Sequence, residues 1–79
     1  MEENIYIVYT LEEFKDLDNK YGKAILKENI EIPDDFLGIR FDGILEGDEN
    51  FDVNICNPYN KTIFKGENYF LKNLKISYY

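Results

Sequence analysis

Residues 28–52 constrain the fold of this chain more than any other stretch, because they mix strand-forming apolar residues with a dense set of carboxylates. The stretch holds nine carboxylates and one cation, Arg40, so its net charge is −8, whereas the whole chain carries −7. Its strand-forming apolar residues include Ile30, Ile32, Leu37, Ile39, Phe41, Ile44, Leu45 and Phe51. Branched and aromatic residues at this spacing favour β-strands. We therefore expect a half-buried β surface fringed with negative charge, which suits a positively charged partner.

One helix is predicted before this stretch. Thr10 and Glu13 have the spacing of a capping box, in which a hydroxyl and a carboxylate accept hydrogen bonds from free N–H groups of the first turn. One helical face collects the apolar residues Leu11, Phe14, Leu17 and Tyr21. Gly22 supplies a stop signal, because glycine commonly follows the last helical residue. The pattern predicts a helix over about residues 11–21.

The rest of the chain is predicted to be β-structure. Residues 5–9 show no polar alternation and favour a strand covered on both faces. After Gly22, we expect about six short strands, with turns at residues 33–35, 46–50, 57–61 and 66–68. Leu37, Ile39 and Phe41 should face inward, and Gly43 should then break the alternation as a β-bulge does.

Two architectures accommodate these elements in a single domain of residues 1–79. The first is α+β and mainly β, with the helix packed on or capping an antiparallel sheet of about six short strands. The second follows from a faint repeat, since Ile32, Val53 and Leu74 lie 21 residues apart, as do Ile55 and Ile76. A period near 20 residues is typical of one coil of a β-solenoid.

A family resemblance favours the second architecture. It rests on the segments AILKENIEI, FDGILEG and LKNLKIS, at residues 24–32, 41–47 and 71–77. In these three segments the chain resembles the opening coils of right-handed parallel β-helix proteins, among them surface adhesins and pectate-lyase-like proteins. The resemblance implies a short right-handed β-helix of two to three coils with an N-terminal helix. It implies no catalytic residue, because none of the matched positions belongs to the sites of the polysaccharide lyases.

Composition disfavours several classes of function. The isoelectric point near 4.4 argues against binding to nucleic acid or to anionic membranes, which both require cationic residues. Histidine is absent and Cys56 is the one cysteine, so the usual general base and the common zinc ligand sets are missing. The N-terminus carries two acids where a secretion signal needs positive charge. We therefore expect a cytoplasmic protein that is not an enzyme and has no cofactor.

Two further interpretations of the carboxylates are considered. Residues 34–35 and 48–52 offer clustered oxygens of the kind that Ca²⁺ takes, but their spacing does not match an EF-hand loop. Asp42 and Glu46 are a candidate carboxylate pair for glycoside hydrolysis. So small a domain, however, offers little cleft that could exclude water from such a pair. We interpret these residues as a solvated acidic face, with no metal site.

The predicted function is that of a non-enzymatic binding module whose acidic face occupies the basic, nucleic-acid-binding site of a partner protein. In size and charge the chain resembles phage counter-defence proteins, including anti-CRISPR and anti-restriction inhibitors that imitate nucleic-acid charge. Two alternatives stay open: an immunity protein against a toxin nuclease, and a structural capping module of a β-helix surface protein. The predicted partner-binding residues are Asp34, Asp35, Asp42, Glu46, Asp48, Glu49, Asp52 and Tyr59.

Overall fold

The chain winds into a short β-solenoid of about three turns, seen in a computed structural model that describes residues 4–50 and 52–78. The elements, in chain order, are β1 (Ile5–Val8), α1 (Leu11–Lys15), β2 (Lys20–Leu26), β3 (Ile30–Glu31), β4 (Phe41–Gly47), β5 (Val53–Asn57), β6 (Tyr69–Lys72) and β7 (Leu74–Tyr78). From β2 onward, the chain alternates between two sheets. The first sheet has the strand order β1-β2-β4-β6 and the second has the order β3-β5-β7.

All strand pairs among the described residues are parallel. An isolated parallel bridge between Ile39 and Phe64 adds a third side to the coil. Parallel neighbours need a long crossover connection. Helix α1 lies in the connection from β1 to β2, and the later coils pass through the second sheet before they return to the first. The antiparallel α+β architecture is therefore wrong. The solenoid alternative is confirmed as a mainly β fold with parallel strands, and its right-handed sense stays a prediction.

The 21-residue repeat is correct for one pair of coils and wrong for the other. Val53 pairs with Leu74 and Ile55 with Ile76, as the repeat predicts. Ile32 does not pair with Val53, because Ile30 pairs with Ile55 at a separation of 25 residues. The coils therefore differ in length, and the difference lies where the chain turns between the sheets.

The turn between β4 and β5 is longer than the corresponding turn between β2 and β3. Leu26 and Ile30 are four positions apart, whereas their partners Gly47 and Ile55 are eight apart, so this corner is four residues longer than the one before it. We call residues 48–52 the corner loop. The flanking ladders stay in register, so the additional residues lie outside the paired coils.

The start of α1 is confirmed. The backbone N–H of Glu13 donates to the Thr10 hydroxyl over 3.2 Å, and the Thr10 N–H donates to the Glu13 carboxylate over 3.1 Å. Together these bonds form the predicted capping box. Phe14 is fully buried beneath the helix.

The predicted end of the helix is wrong. The helix ends at Lys15, and the chain passes through a turn, with Asn19 at φ 64°, into β2. Residues 20–26 pair with β4 along their whole length, and residues 23–26 also pair with β1. The hydrogen bonds of these ladders outweigh the helical periodicity of the sequence. Gly22, which was predicted to end the helix, lies within β2. Tyr21, predicted on the buried helical face, is 63% exposed.

The core lies between the two sheets and alternates with the strand period. Its buried apolar residues are Val8, Phe14, Leu17, Ala24, Leu26, Ile30, Ile32, Phe36, Ile39, Phe41, Leu45, Val53, Ile55 and Ile63. Gly43 does not form the predicted bulge, since β4 is continuous and both Phe41 and Leu45 face inward. A Cβ atom on Gly43 would lie 1.9 Å from the Gly22 carbonyl oxygen, so this position requires glycine for the close approach of two coils.

Three further expectations are corrected. Leu37 is 86% exposed instead of facing inward, because the chain leaves the sheet after residue 31 and forms a turn. Strand β1 is not covered on both faces, since Ile5 and Ile7 are exposed on an edge strand. The strand expected at residues 62–65 is reduced to the bridge at Phe64. The predicted role of Phe51 lies outside the described residues.

Candidate protein-binding surface

The corner loop is organised around Asp48. Its carboxylate accepts a hydrogen bond from the Asn50 N–H over 3.0 Å and lies 3.5 Å from the Lys27 ammonium of the preceding coil. The Asn50 hydrogen bond first, and then the Lys27 charge, hold the pKa of Asp48 below its ordinary value, against the opposing effect of partial desolvation. Asp48 therefore shapes the loop and is already engaged within the molecule.

Two carboxylates that follow Asp48 point into solvent. Glu49 and Asp52 are exposed, and neither forms an ion pair with another residue in the described parts of the chain. Glu28 is also exposed and lies at the corner of the preceding coil. The Asn54 N–H donates to the Asn29 side chain over 2.8 Å, which fixes one corner on the other. We call Glu28, Glu49 and Asp52 the acidic edge.

Glu46 is neutralised within the first sheet. Its carboxylate lies 3.6 Å from the Lys23 ammonium and 3.4 Å from that of Lys72, on the two neighbouring strands. Its side chain is only 21% exposed. Glu46 thus contributes to contacts between coils more than to the outward charge of the protein.

The predicted residues Asp34, Asp35 and Tyr59 lie together at a different corner. This corner follows β3 and β5, and it brings Asp34 to 3.5 Å from the Lys61 ammonium. The fully buried side chain of Asn57 holds the second turn, since its amide donates to the Lys61 carbonyl and its oxygen accepts from the Lys61 N–H. Asp35 and Tyr59 remain exposed. The second sheet separates this group from the acidic edge.

Asp42 occupies a third location. It is exposed on the outer face of the first sheet, in register with Tyr21 on β2. The eight predicted residues are therefore distributed over two corners and one sheet face. The acidic stretch does not form one continuous face, because a coil carries neighbouring residues to different sides of the solenoid.

The sequence pattern did not predict the apolar surface of the first sheet. Ile5 is 58% exposed, Ile7 42%, Tyr21 63% and Phe70 69%, and all four side chains project outward from this sheet. In β1, Tyr6 and Val8 face inward, and Ile5 and Ile7 alternate with them and face outward. The sequence did not reveal which pair faces outward, because all four residues are apolar.

Clusters of metal ligands and membrane-spanning helices are absent from the described residues. Residues 4–50 and 52–78 contain no group of three or more histidine, cysteine, aspartate or glutamate side chains placed to hold a metal ion. Cys56 is half-buried on β5, between Glu31 and Ser77 on the adjacent strands. In the same residues, no helix has the length and apolar character needed to cross a membrane.

Comparisons with known proteins identify no relative of this chain, so a proposal about its function must rest on the geometry described above. No protein family, no curated protein and no solved structure matches this chain.

Proposed function

We propose that this protein is a non-enzymatic binding module whose acidic edge occupies a basic site on a partner protein. The observation that carries the proposal is the four-residue extension of the corner loop, which bears the exposed carboxylates of Glu49 and Asp52. Both flanking strands, β4 and β5, are fixed in parallel ladders. A charged loop on a fixed base loses little conformational entropy on binding, and its field accelerates association with an oppositely charged site.

The scale of the edge supports a partner that handles nucleic acid. Paired strands of adjacent coils are separated by about 4.8 Å, and Glu28 and Glu49 place negative charge at the corners of two adjacent coils. Phosphates follow one another at about 3.4 Å of axial rise along a nucleic-acid strand. A groove lined with lysine and arginine for phosphates therefore offers suitable countercharges. An anti-CRISPR or anti-restriction inhibitor and an immunity protein against a nuclease both fit this chemistry, and the identity of the partner distinguishes them.

A second candidate is the capping module of a larger β-helix, and one observation favours it. Helix α1 packs against β1 and β3, which are the edge strands of the two sheets at one end of the solenoid. Such a helix covers the end of the core, as a cap does. In this role the acidic edge would have no specific partner.

The experiment is affinity capture from a cell lysate with the wild type and two matched variants. Glu49→Lys/Asp52→Lys reverses the corner loop, and Glu12→Lys/Asp16→Lys produces the same change in net charge on α1. Glu46 and Asp48 are left unchanged, because their reversal would break the ion pairs to Lys residues on neighbouring coils. Thermal unfolding verifies that each variant is folded.

The expected result is capture of a basic, nucleic-acid-handling protein by the wild type and by the α1 variant. Capture should be lost with the corner-loop variant, and also in about 0.5 M salt, where exposed charges are screened within a few ångströms. Capture that survives both changes would contradict the proposal. The absence of any specific partner would favour the capping role.

A further inference from the structure

The two ends of the solenoid differ. At one end α1 covers β1 and β3. At the other end, within the described residues, β6 pairs only with β4 and β7 only with β5. The inward residues of this end, Leu71, Leu74 and Ile76, are only half-buried. A strand with one free side presents unpaired N–H and C=O groups that another strand can bind.

We propose that two copies of this chain associate through this open end, with β6 of each copy paired antiparallel around a two-fold axis at Leu71. The interface is isologous, so each copy contributes the same residues. This association is independent of the acidic edge.

The backbone of β6 has the hydrogen-bonding groups that this pairing requires. The Gly43 N–H donates to the Asn68 carbonyl over 2.8 Å, which directs Asn68 toward β4. Successive residues of a parallel strand bond alternately to the two sides, so Phe70 and Lys72 also bond toward β4. The N–H and C=O groups of Tyr69 and Leu71 therefore point to the open side. A two-fold axis at Leu71 makes the two Leu71 residues a hydrogen-bonded antiparallel pair.

The side chains of β6 complement themselves in this register. Phe70 of one copy lies opposite Lys72 of the second copy, and the same pair forms again across the axis. Phe70 is 69% exposed and the Lys72 side chain is 65% exposed, so both are available. An ammonium over an aromatic ring is a favourable cross-strand pair. On the inner side, the two Leu71 side chains meet and continue the core from one copy to the other.

Charge favours a second copy at this end. The chain carries a net charge of −7, and contacts through the acidic corners would oppose like charges. Strands β6 and β7 contain two lysines and no acid, and Lys72 is already balanced by Glu46. Each copy has one such open end, and the isologous contact occupies it in both copies. Association therefore stops at a dimer and does not form a filament.

The test uses sedimentation equilibrium of the whole chain from about 10 μM to about 1 mM, since small interfaces bind weakly. The variant is Phe70→Lys, which places lysine opposite Lys72 across the axis. The matched control is Tyr21→Lys, which makes the same change at a similarly exposed aromatic residue on the same sheet face, but on an interior strand. Circular dichroism verifies the fold of both variants.

We expect the wild type to approach twice the 9.4 kDa chain mass as its concentration rises. Phe70→Lys should raise the dimer dissociation constant by about tenfold or more, and Tyr21→Lys should change it by less than about threefold. Hydrogen exchange of the Leu71 N–H should slow at the higher concentrations. A monomer throughout the range would overturn the proposal, as would equal weakening by both variants or a dimer in which exchange at Leu71 does not change.

Discussion

Substitution of Gly43 by alanine tests whether close contact between coils holds this solenoid together. Gly43 lies in β4 directly above Gly22 of β2, and its φ is 132°, in the region that favours glycine. A Cβ atom there would lie 1.9 Å from the Gly22 carbonyl oxygen and 2.9 Å from its carbon. Ordinary contact begins near 3.4 Å, so the coils would have to separate by well over 1 Å at this point.

Two costs add in this variant. Overpacking a well-packed site costs about 1–3 kcal/mol, and a residue other than glycine at positive φ costs about 1–3 kcal/mol more. We therefore expect Gly43→Ala to lower the free energy of unfolding by about 2–6 kcal/mol. Domains of this size have a total of roughly 4–12 kcal/mol, so the loss is a large part of the stability. The melting temperature should fall by at least about 8 °C.

Urea denaturation followed by circular dichroism measures the effect, with Gly66→Ala as the matched control. A Cβ atom on Gly66 meets no atom closer than 3.5 Å, and its backbone is not in the positive-φ region. This control should change the free energy of unfolding by less than about 1 kcal/mol in either direction. A loss below about 1 kcal/mol for Gly43→Ala would refute the argument, because it would mean that the two coils are not in contact there.

Three other predictions concern the helix cap, the corner loop and metal ions. Thr10→Ala should lower the free energy of unfolding by about 0.5–2 kcal/mol in a denaturant titration, since it removes the hydroxyl that accepts from the Glu13 N–H; an unchanged midpoint would contradict the capping box. The folded-state pKa of Asp48 is lowered, so Asp48 stabilises the fold above about pH 4, and this contribution is lost as the pH falls through the lowered pKa. Asp48→Asn should thus be less stable than the wild type at pH 7, with a difference that narrows in acid; a constant difference from pH 7 to pH 2 would contradict the assignment. Millimolar Ca²⁺ should raise the melting temperature by no more than about two degrees, and a larger shift would make residues 48–52 metal ligands.

Local signals in the sequence predicted local structure well. The capping box depends on two residues three positions apart, and both behave as expected. The end of the helix depends on partners outside the local sequence, because β1 and β4 recruit residues 20–26 into a sheet. The 21-residue repeat predicted the pairing of β5 with β7 correctly. It did not predict the pairing of β3 with β5, because the longer corner increases the separation of paired residues to 25.

The role of residues 48–52 in partner binding stays a prediction. These residues drew attention by their charge, and they form a corner four residues longer than the corresponding corner of the preceding coil. The neutralisation of Glu46 by Lys23 and Lys72 was not predictable, because these lysines lie on adjacent coils at distances along the chain that only the register sets. Charge counted along a sequence therefore overstates the charge available to a partner.

The unequal corners also bear on how such a chain can change. The corner between β4 and β5 contains four more residues than its predecessor, yet the ladders on both sides keep their pairing. The entropy of closing a flexible loop grows slowly, by about 0.6 kcal/mol for each doubling of its length. Foreign peptides inserted after Asn50 should consequently be displayed without rearranging the scaffold. A lineage of such proteins can alter its corner loop independently of its core.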